Sequence, residues 1–375
     1  MAVTTYGINH PLAVKTWAKS LFVKTNKALD ISKLMGKGDN NIIQVMDNMQ
    51  KSAGDSVTVG LRMQLRGTGV SEHQVLEGNE EALNTLSDTL FINELNHAVR
   101  VKEKGTIDQQ RIMFDMRSEA RNGLVDWYST RLSLMFFLQV CGYTATEAIV
   151  GGMKQYLSPV FWGFNTPQAP SSLRHFIAGG KPAEESITPA DTFDLKMVDK
   201  AVQRAKLANP KIRPVIVGGD RVYVLYLHPT QVTQLRTNTD QGQWLDITKA
   251  VYNGSRAKNP IFDGSLGMYN GVVLRESEFV TTGVNSKTGK PIPNVRRGVL
   301  LGAQSAVFAV GKNQGNTTYS IVEQPFDYNR ELGVAAKSIL GIKKTRFQLP
   351  NLGDDAQITP QDFGTIVIST FAEEV

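Results

Sequence analysis

The chain has 375 residues, 41% of them hydrophobic, and a formal net charge of +6, enough apolar material for one large or two to three ordinary domains with buried cores. No run approaches the roughly 18 apolar residues of a membrane span, and the N-terminus lacks the basic segment, apolar core and cleavage site of an export signal; neither a bilayer nor secretion is expected. A single cysteine, Cys141, excludes an internal disulfide and is expected to be a small buried hydrophobe in a chain folded in a reducing compartment.

Residues 1–38 set Lys15, Lys19, Lys24, Lys27, Lys33 and Lys37 against Asp30 alone, so this segment carries +5 by itself. Such an arm either meets nucleic acid through its phosphates or is a solvated amphipathic arm, and no arginine-and-aromatic motif strengthens the first option. A helix-like piece covers 12–29, and GKGDN at 36–40 is a small turn. From Val57 to Leu65 the apolar residues alternate without exception with Thr58, Gly60, Arg62 and Gln64, and Arg66 continues the polar face; this is the period of a half-buried strand. A weaker strand pattern returns over 89–102. The two are expected to pair as a long hairpin whose tip, of about twenty residues, holds Gly69, Gly78 and the cluster Glu77, Asn79, Glu80, Glu81, with Gly67 at its neck. Loops of that length inside a compact domain tend to be functional.

The strongest helix signal follows. Thr106 and Gln109 have capping-box spacing, and Met113, Met116, Ala120, Leu124, Trp127, Leu134 and Leu138 recur three, four or seven residues apart, up to a stop at Gly142. These residues predict one continuous spine of some 34 residues, roughly 50 Å long, with that face as a core. Asp108, Arg111 and Asp115 read as solvated charges. A second helix is expected from Thr144, which has capping-box spacing to Glu147, to about Leu157. Residues 158–190, rich in Pro, Gly and Ser, read as an extended connection. A helix over 194–207 and strands over 221–229, 271–275, 298–301 and 306–310 then give the region 191–319 a mixed character. The tail, 319–375, offers further strand-like segments such as GTIVISTF.

Local motifs for chemistry fail one by one. GVNSKTGKP at 283–291 has five residues where a phosphate loop has four, and Pro291 replaces the magnesium-binding hydroxyl; it reads as a hairpin tip. Gly67, Gly69 and Gly78 do not fit dinucleotide spacing. Glu77, Glu80 and Glu81 lack the alternating ligands of a calcium loop, and the five histidines are scattered without a metal-binding spacing. DGSLG at 263–267 lacks the first glycine of a nucleophile elbow. No catalytic residue, cofactor or metal is expected.

What remains is a basic arm, a projecting hairpin, a spine helix and a separate mixed region. This order resembles the subunit of tailed-phage major capsid proteins with the Hong Kong 97-type fold. INHPLAVKTWAKSLF, LMGKGDNNIIQV, GDSVTVGLRMQLRGTGV, LEGNEEAL and LFINELNHAVR are similar to the N-four-type podophage family, as are YLHPTQVTQLR, IFDGSLGMYNGVVL and ELGVAAKSILGIKKTRF. The resemblance implies an α+β fold with an N-arm at 1–54, an extended E-loop at 55–105 and a P-domain at 106–190. It places an A-domain at 191–319 and a return to the P-domain at 320–375. It further implies a virion protein made in the host cytoplasm that assembles with its own copies, as hexamers and pentamers, into an icosahedral shell. The implied further contacts are packaged double-stranded DNA, held non-specifically, and portal, scaffolding or decoration proteins. Arg62, Arg66, Gly67, Gly69 and the 77–81 cluster would then touch a neighbouring subunit, and the six lysines of the arm would face inward. The alternative from the residues alone is a nucleic-acid-binding or remodelling protein that uses the basic arm.

Overall fold

The computed structural model describes residues 30–47, 54–62, 65, 67–82, 85–102, 105–150, 153–217, 219–237, 265–312, 319–351 and 354–373. Lys15, Lys19, Lys24 and Lys27, the helix expected over 12–29, and Arg66 lie outside the described residues. The described chain begins with a 3-10 turn, Asp30–Leu34, followed by β1 (Met35–Gly36) and β2 (Ile43–Met46). The alternating segment becomes β3 (Ser56–Arg62), and its partner is β4 (Thr85–Phe91), in register from Ser56 opposite Phe91 to Arg62 opposite Thr85.

The pairing corrects the expectation that 89–102 would form one strand of that hairpin. The segment divides at Ile92, whose N–H donates to Asp55 O at 2.9 Å. Asn165 fixes the residue before it: Oδ1 accepts from Phe91 N at 2.9 Å, and Nδ2 donates to Phe91 O at 2.6 Å. Beyond this clamp the chain enters β5 (Asn93–Lys102) and a different sheet.

The spine is likewise two helices, α1 (Ile107–Arg111) and α2 (Met116–Val140). Polar side chains create the break. Asp115 caps α2 by accepting from Arg117 N at 3.3 Å; Gln109 accepts from Met116 N at 3.2 Å and donates to Phe114 O at 2.7 Å. Gln109 therefore serves the second helix, and Thr106 makes no side-chain cap bond on the first. Met113, expected in the core face, sits in the break and is fully exposed; Leu124, Leu134 and Leu138 are buried, whereas Met116 and Trp127 are half-buried. The 25 residues of α2 span about 37 Å. The helix ends at Gly142 in the left-handed region (φ 63°), with Gly142 N donating to Gln139 O and Tyr143 N to Leu138 O, the paired bonds of a glycine C-terminus.

No helix follows. Where that helix was expected, β6 (Glu147–Val150) pairs antiparallel with β7 (Met153–Tyr156). The glycine pair at 151 and 152 suits a two-residue hairpin loop, a signal that outweighs the capping-box spacing. The connection expected over 158–190 is a run of 3-10 turns with one short strand, β8 (His175–Ile177). The next helix, α3 (Leu195–Leu207), is capped by Asp194. β9 (Val215–Val217), β10 (Asp220–Leu227), α4 (Pro229–Thr237), β11 (Gly267–Tyr269), β12 (Val272–Glu276), β13 (Thr282–Val284), β14 (Pro291–Leu301) and β15 (Ala306–Val310) follow. The last strands are β16 (Tyr319–Phe326), β17 (Glu331–Lys344), β18 (Arg346–Asn351), β19 (Asp354–Asp362) and β20 (Thr365–Phe371).

These strands form two large sheets and three hairpins. One sheet runs β1-β2-β15-β17-β16 with β5 on the other edge of β17; the other runs β11-β12-β10-β14-β20-β8, with β13 on β14 and β9 on β10. The sheets do not follow the boundary expected at 319. β15 precedes that boundary yet pairs with β17, and β20 follows it yet pairs with β14 along seven residues.

Strict alternation makes the eight-stranded sheet two-faced. Val222, Val224 and Tyr226 of β10 join the cluster built on α2, whereas Tyr223, Leu225 and Leu227 join the cluster containing α3 and α4. The spine thus lies on one face, where Phe137 meets Tyr226 edge-on at 5.2 Å, and α3 and α4 lie on the other. Burying a side chain of this size contributes about 1.5–3 kcal/mol.

Candidate functional site: a hairpin with an unburied tip

The base of the β3–β4 hairpin is part of the subunit's own core. Val59 and Leu90 pack with Val307 and Ala309 of β15, and Leu61 and Leu86 rest on the aromatic pair Phe347 and Phe363. Asp88 locks this base electrostatically. Its Oδ1 lies 2.5 Å from Lys343 Nζ, and its Oδ2 accepts from Arg346 N at 3.1 Å. Gly341 allows the hairpin to lie so close, since a β-carbon there would stand 2.2 Å from Phe91 O.

Beyond Arg62 and Thr85 the surroundings change. Every described residue from 65 to 82 is exposed except Val70, which is half-buried. Leu65, Val75 and Leu76 are 57%, 68% and 63% exposed, which is costly for large apolar side chains unless something else covers them. The tip's hydrogen bonds are local turns: Gln74 N to Ser71 O, Asn79 N to Leu76 O, and Asn79 Nδ2 to Val75 O. Glu81 accepts from Gly67 N at 2.5 Å across the neck, and Glu80 accepts from Gly78 N at 2.7 Å. Gly69 (φ 70°) and Gly78 (φ 88°) supply the left-handed turns. Glu77 and Arg62 are exposed. The expected cluster therefore converges only in part: Gly67 meets Glu81 and Gly78 meets Glu80.

The sequence reading missed a second hairpin, β18–β19, whose Arg346 opposes Asp362. It stands beside β4 and shares the Phe347 and Phe363 support. Arg346 Nη2 donates to Pro360 O at 3.0 Å across its base, and the buried Lys344 lies 3.0 Å from the buried Asp362. Burial pushes the Lys344 ammonium down, against the opposing pull of Asp362.

Also unseen in the sequence is a buried junction around Glu184. Arg297 donates to it through Nε (2.7 Å) and Nη2 (2.6 Å) and reaches Gly142 O at 2.8 Å through Nη1. Ser369 Oγ donates to Glu184 Oε1, and His175 Nε2 lies 2.8 Å from Ser369 Oγ. Burial alone would raise the Glu184 carboxyl; the bonds from His175 and Arg297 and the charge of Arg297 outweigh it and hold the group well below the usual carboxylate range. Serine and carboxylate both approach the same histidine nitrogen, whereas a nucleophile relay needs the carboxylate on the opposite nitrogen. The group is a structural junction. Among the described residues, no set of three or more His, Cys, Asp or Glu is placed to hold a metal ion.

Comparison with known proteins agrees with a subunit built for assembly. Residues 5–374 match the phage capsid protein family. The major capsid protein of Pseudomonas phage KPP25 is 28% identical over 369 residues, covering 93% of each chain. The capsid of Ralstonia phage GP4 superimposes with a TM-score of 0.78 at 28% identity, covering all of this chain and 99% of that one. The cyanophage Pam1 capsid shares the fold, with a TM-score of 0.64 at 19% identity and 92% coverage of both chains. The α+β, Hong Kong 97-type architecture is thus common to these subunits, and the chain belongs to the phage capsid protein family as a shell-forming major capsid protein.

Proposed function

We propose that the subunit does no chemistry and that its mechanism is the closure of an icosahedral head by repeated contacts among hexamers and pentamers of one chain. The observation that carries this reading is the β3–β4 hairpin, whose base is locked into its own subunit while its tip leaves Leu65, Val75 and Leu76 uncovered. A neighbouring subunit is the partner that covers them. In this reading 1–54 is the N-arm and 55–92 the E-loop. The P-domain is α2 with the six-stranded sheet, and the A-domain is the eight-stranded sheet with α3 and α4. The lysines of the arm face the packaged double-stranded DNA, although Lys37 is already paired with Asp47. Synthesis takes place in the host cytoplasm, and portal, scaffolding and decoration proteins contact this same lattice. The remodelling alternative rests on the basic arm alone and gives way to the family match.

The test is to replace residues 63–84 by Asn-Gly, which suits a two-residue hairpin turn joining Arg62 to Thr85. The shortened subunit should keep its thermal unfolding midpoint and lose shell formation, because specific interfaces bury about 1,200–2,000 Å² each. Normal shells from this variant would refute the clasp. Unfolded subunits would assign the tip to the subunit's own core.

A further inference from the structure

The second concentration of positive charge lies on α3, in a part of the chain far from the N-terminal arm. Residues 195–213 hold Lys196, Lys200, Arg204, Lys206, Lys211 and Arg213 against Asp199 alone, nearly the net charge of the whole chain. The fold sorts this segment by face. Leu195, Val198, Ala201, Val202 and Ala205 are buried against the eight-stranded sheet. Lys196, Lys200, Gln203 and Lys206 are exposed, and Lys211 is exposed in the loop that seats Ile212 in the same apolar layer. Two carboxylates stand at this segment: Asp199 accepts from Tyr269 Oη at 3.0 Å and from Asn270 Nδ2 at 2.9 Å, and the capping Asp194 lies 3.9 Å from Lys196 Nζ at the helix start. Arg204 is turned aside, stacked on Phe176 and bonded to Leu173 O.

We infer that the exposed face of α3, centred on Lys196, Lys200 and Lys206, is a contact surface for the phosphates of duplex DNA and looks into the shell. Lys196 and Lys200 are about 6 Å apart along the helix and Lys206 about 9 Å further on, while duplex DNA presents one charge per roughly 1.7 Å of axis, so register with any base sequence is unnecessary. The contact is sequence-independent and works by counterion release. The inference rests on the capsid reading above.

Two measurements on the full-length chain test it. First, intact DNA-filled shells and dissociated subunits are treated with an impermeant amine reagent and mapped by mass spectrometry. Lys196, Lys200 and Lys206 should be labelled only after dissociation. Second, unassembled wild-type chain and the triple variant K196Q/K200Q/K206Q are titrated with a duplex of about 30 base pairs across salt concentrations, where each lost phosphate contact lowers the log–log slope by about 0.9. A loss of roughly 2 to 3 in slope is expected, with K15Q/K19Q/K24Q/K27Q as the comparison for the arm. Labelling on intact filled shells overturns the inference. So does protection with an unchanged slope, which would mean that another subunit covers α3. If the wild-type chain forms no shells at all, the capsid reading fails instead, and the slope still decides whether α3 binds duplex.

Discussion

Arg297 and Glu184, 113 residues apart in the chain, form a two-pronged ion pair whose side chains are 5% and 3% exposed. Arg297 belongs to β14 and Glu184 to the turn before α3, and the guanidinium also closes the end of the spine at Cys141 and Gly142. One ion pair thus ties the spine to the eight-stranded sheet. Removing one partner of such a pair leaves an uncompensated buried charge, so Glu184→Gln should cost about 3–5 kcal/mol, read as a lower midpoint in denaturant unfolding of the unassembled subunit. An unchanged midpoint would mean that the pair contributes nothing to the subunit.

The same carboxyl predicts a pH dependence. Its folded pKa is depressed, so its contribution is fully present above the unfolded value of about 4.3 and is lost as pH falls through the lower folded value. Wild-type stability should therefore fall steadily as the solution is acidified below about pH 4.5. Glu184→Gln should flatten that fall while lying lower throughout. Parallel curves for the two proteins would assign the acid sensitivity to other groups.

Asp88 is the lock at the base of the projecting hairpin. Asp88→Ala removes the carboxylate partner of Lys343, which keeps Thr89 O, and the acceptor of Arg346 N, and should cost about 1–3 kcal/mol. Faster amide hydrogen exchange should be confined to β3 and β4. Exchange spread uniformly over both sheets would show that Asp88 supports the whole fold.

The break in the spine gives a paired prediction. Phe137 is fully buried, and Phe137→Ala should cost about 3–5 kcal/mol. Met113 shares the apolar period of Leu124, Leu134 and Leu138 in the sequence but stands in solvent, so Met113→Ala should change subunit stability by no more than about 0.5 kcal/mol. A large loss at Met113 would mean that the spine is continuous after all.

These residues also mark what a sequence can tell. The period of two in 57–62 and the buried run of β10 were readable because side-chain alternation is a local property, and the glycine stop at 142 is equally local. The break before Met116 was not readable, because an apolar period continues through it while Gln109 and Asp115 redirect the backbone. Thr144 and Glu147 imitate a helix start, and only the glycine pair at 151 and 152 argues against them. The Glu184–Arg297 pair and the Asn165 clamp on Phe91 join positions far apart in the chain, so no window of sequence contains them. The glycines and glutamates of 67–82 were legible as an acidic loop; that the root of this hairpin reaches Asp88 and the second hairpin was not.

If another subunit covers the tip, amide hydrogen exchange across residues 67–82 must differ between unassembled subunits and intact shells. Apart from the Gly67–Glu81 bond across the neck, the bonds described within 67–82 are short-range turns at an exposed surface, so exchange should be fast there. In shells it should slow by orders of magnitude, together with loss of solvent access to Leu65, Val75 and Leu76. Equal, fast exchange in both states would contradict the account, because the tip would then be as bare in the capsid as it is on the single subunit.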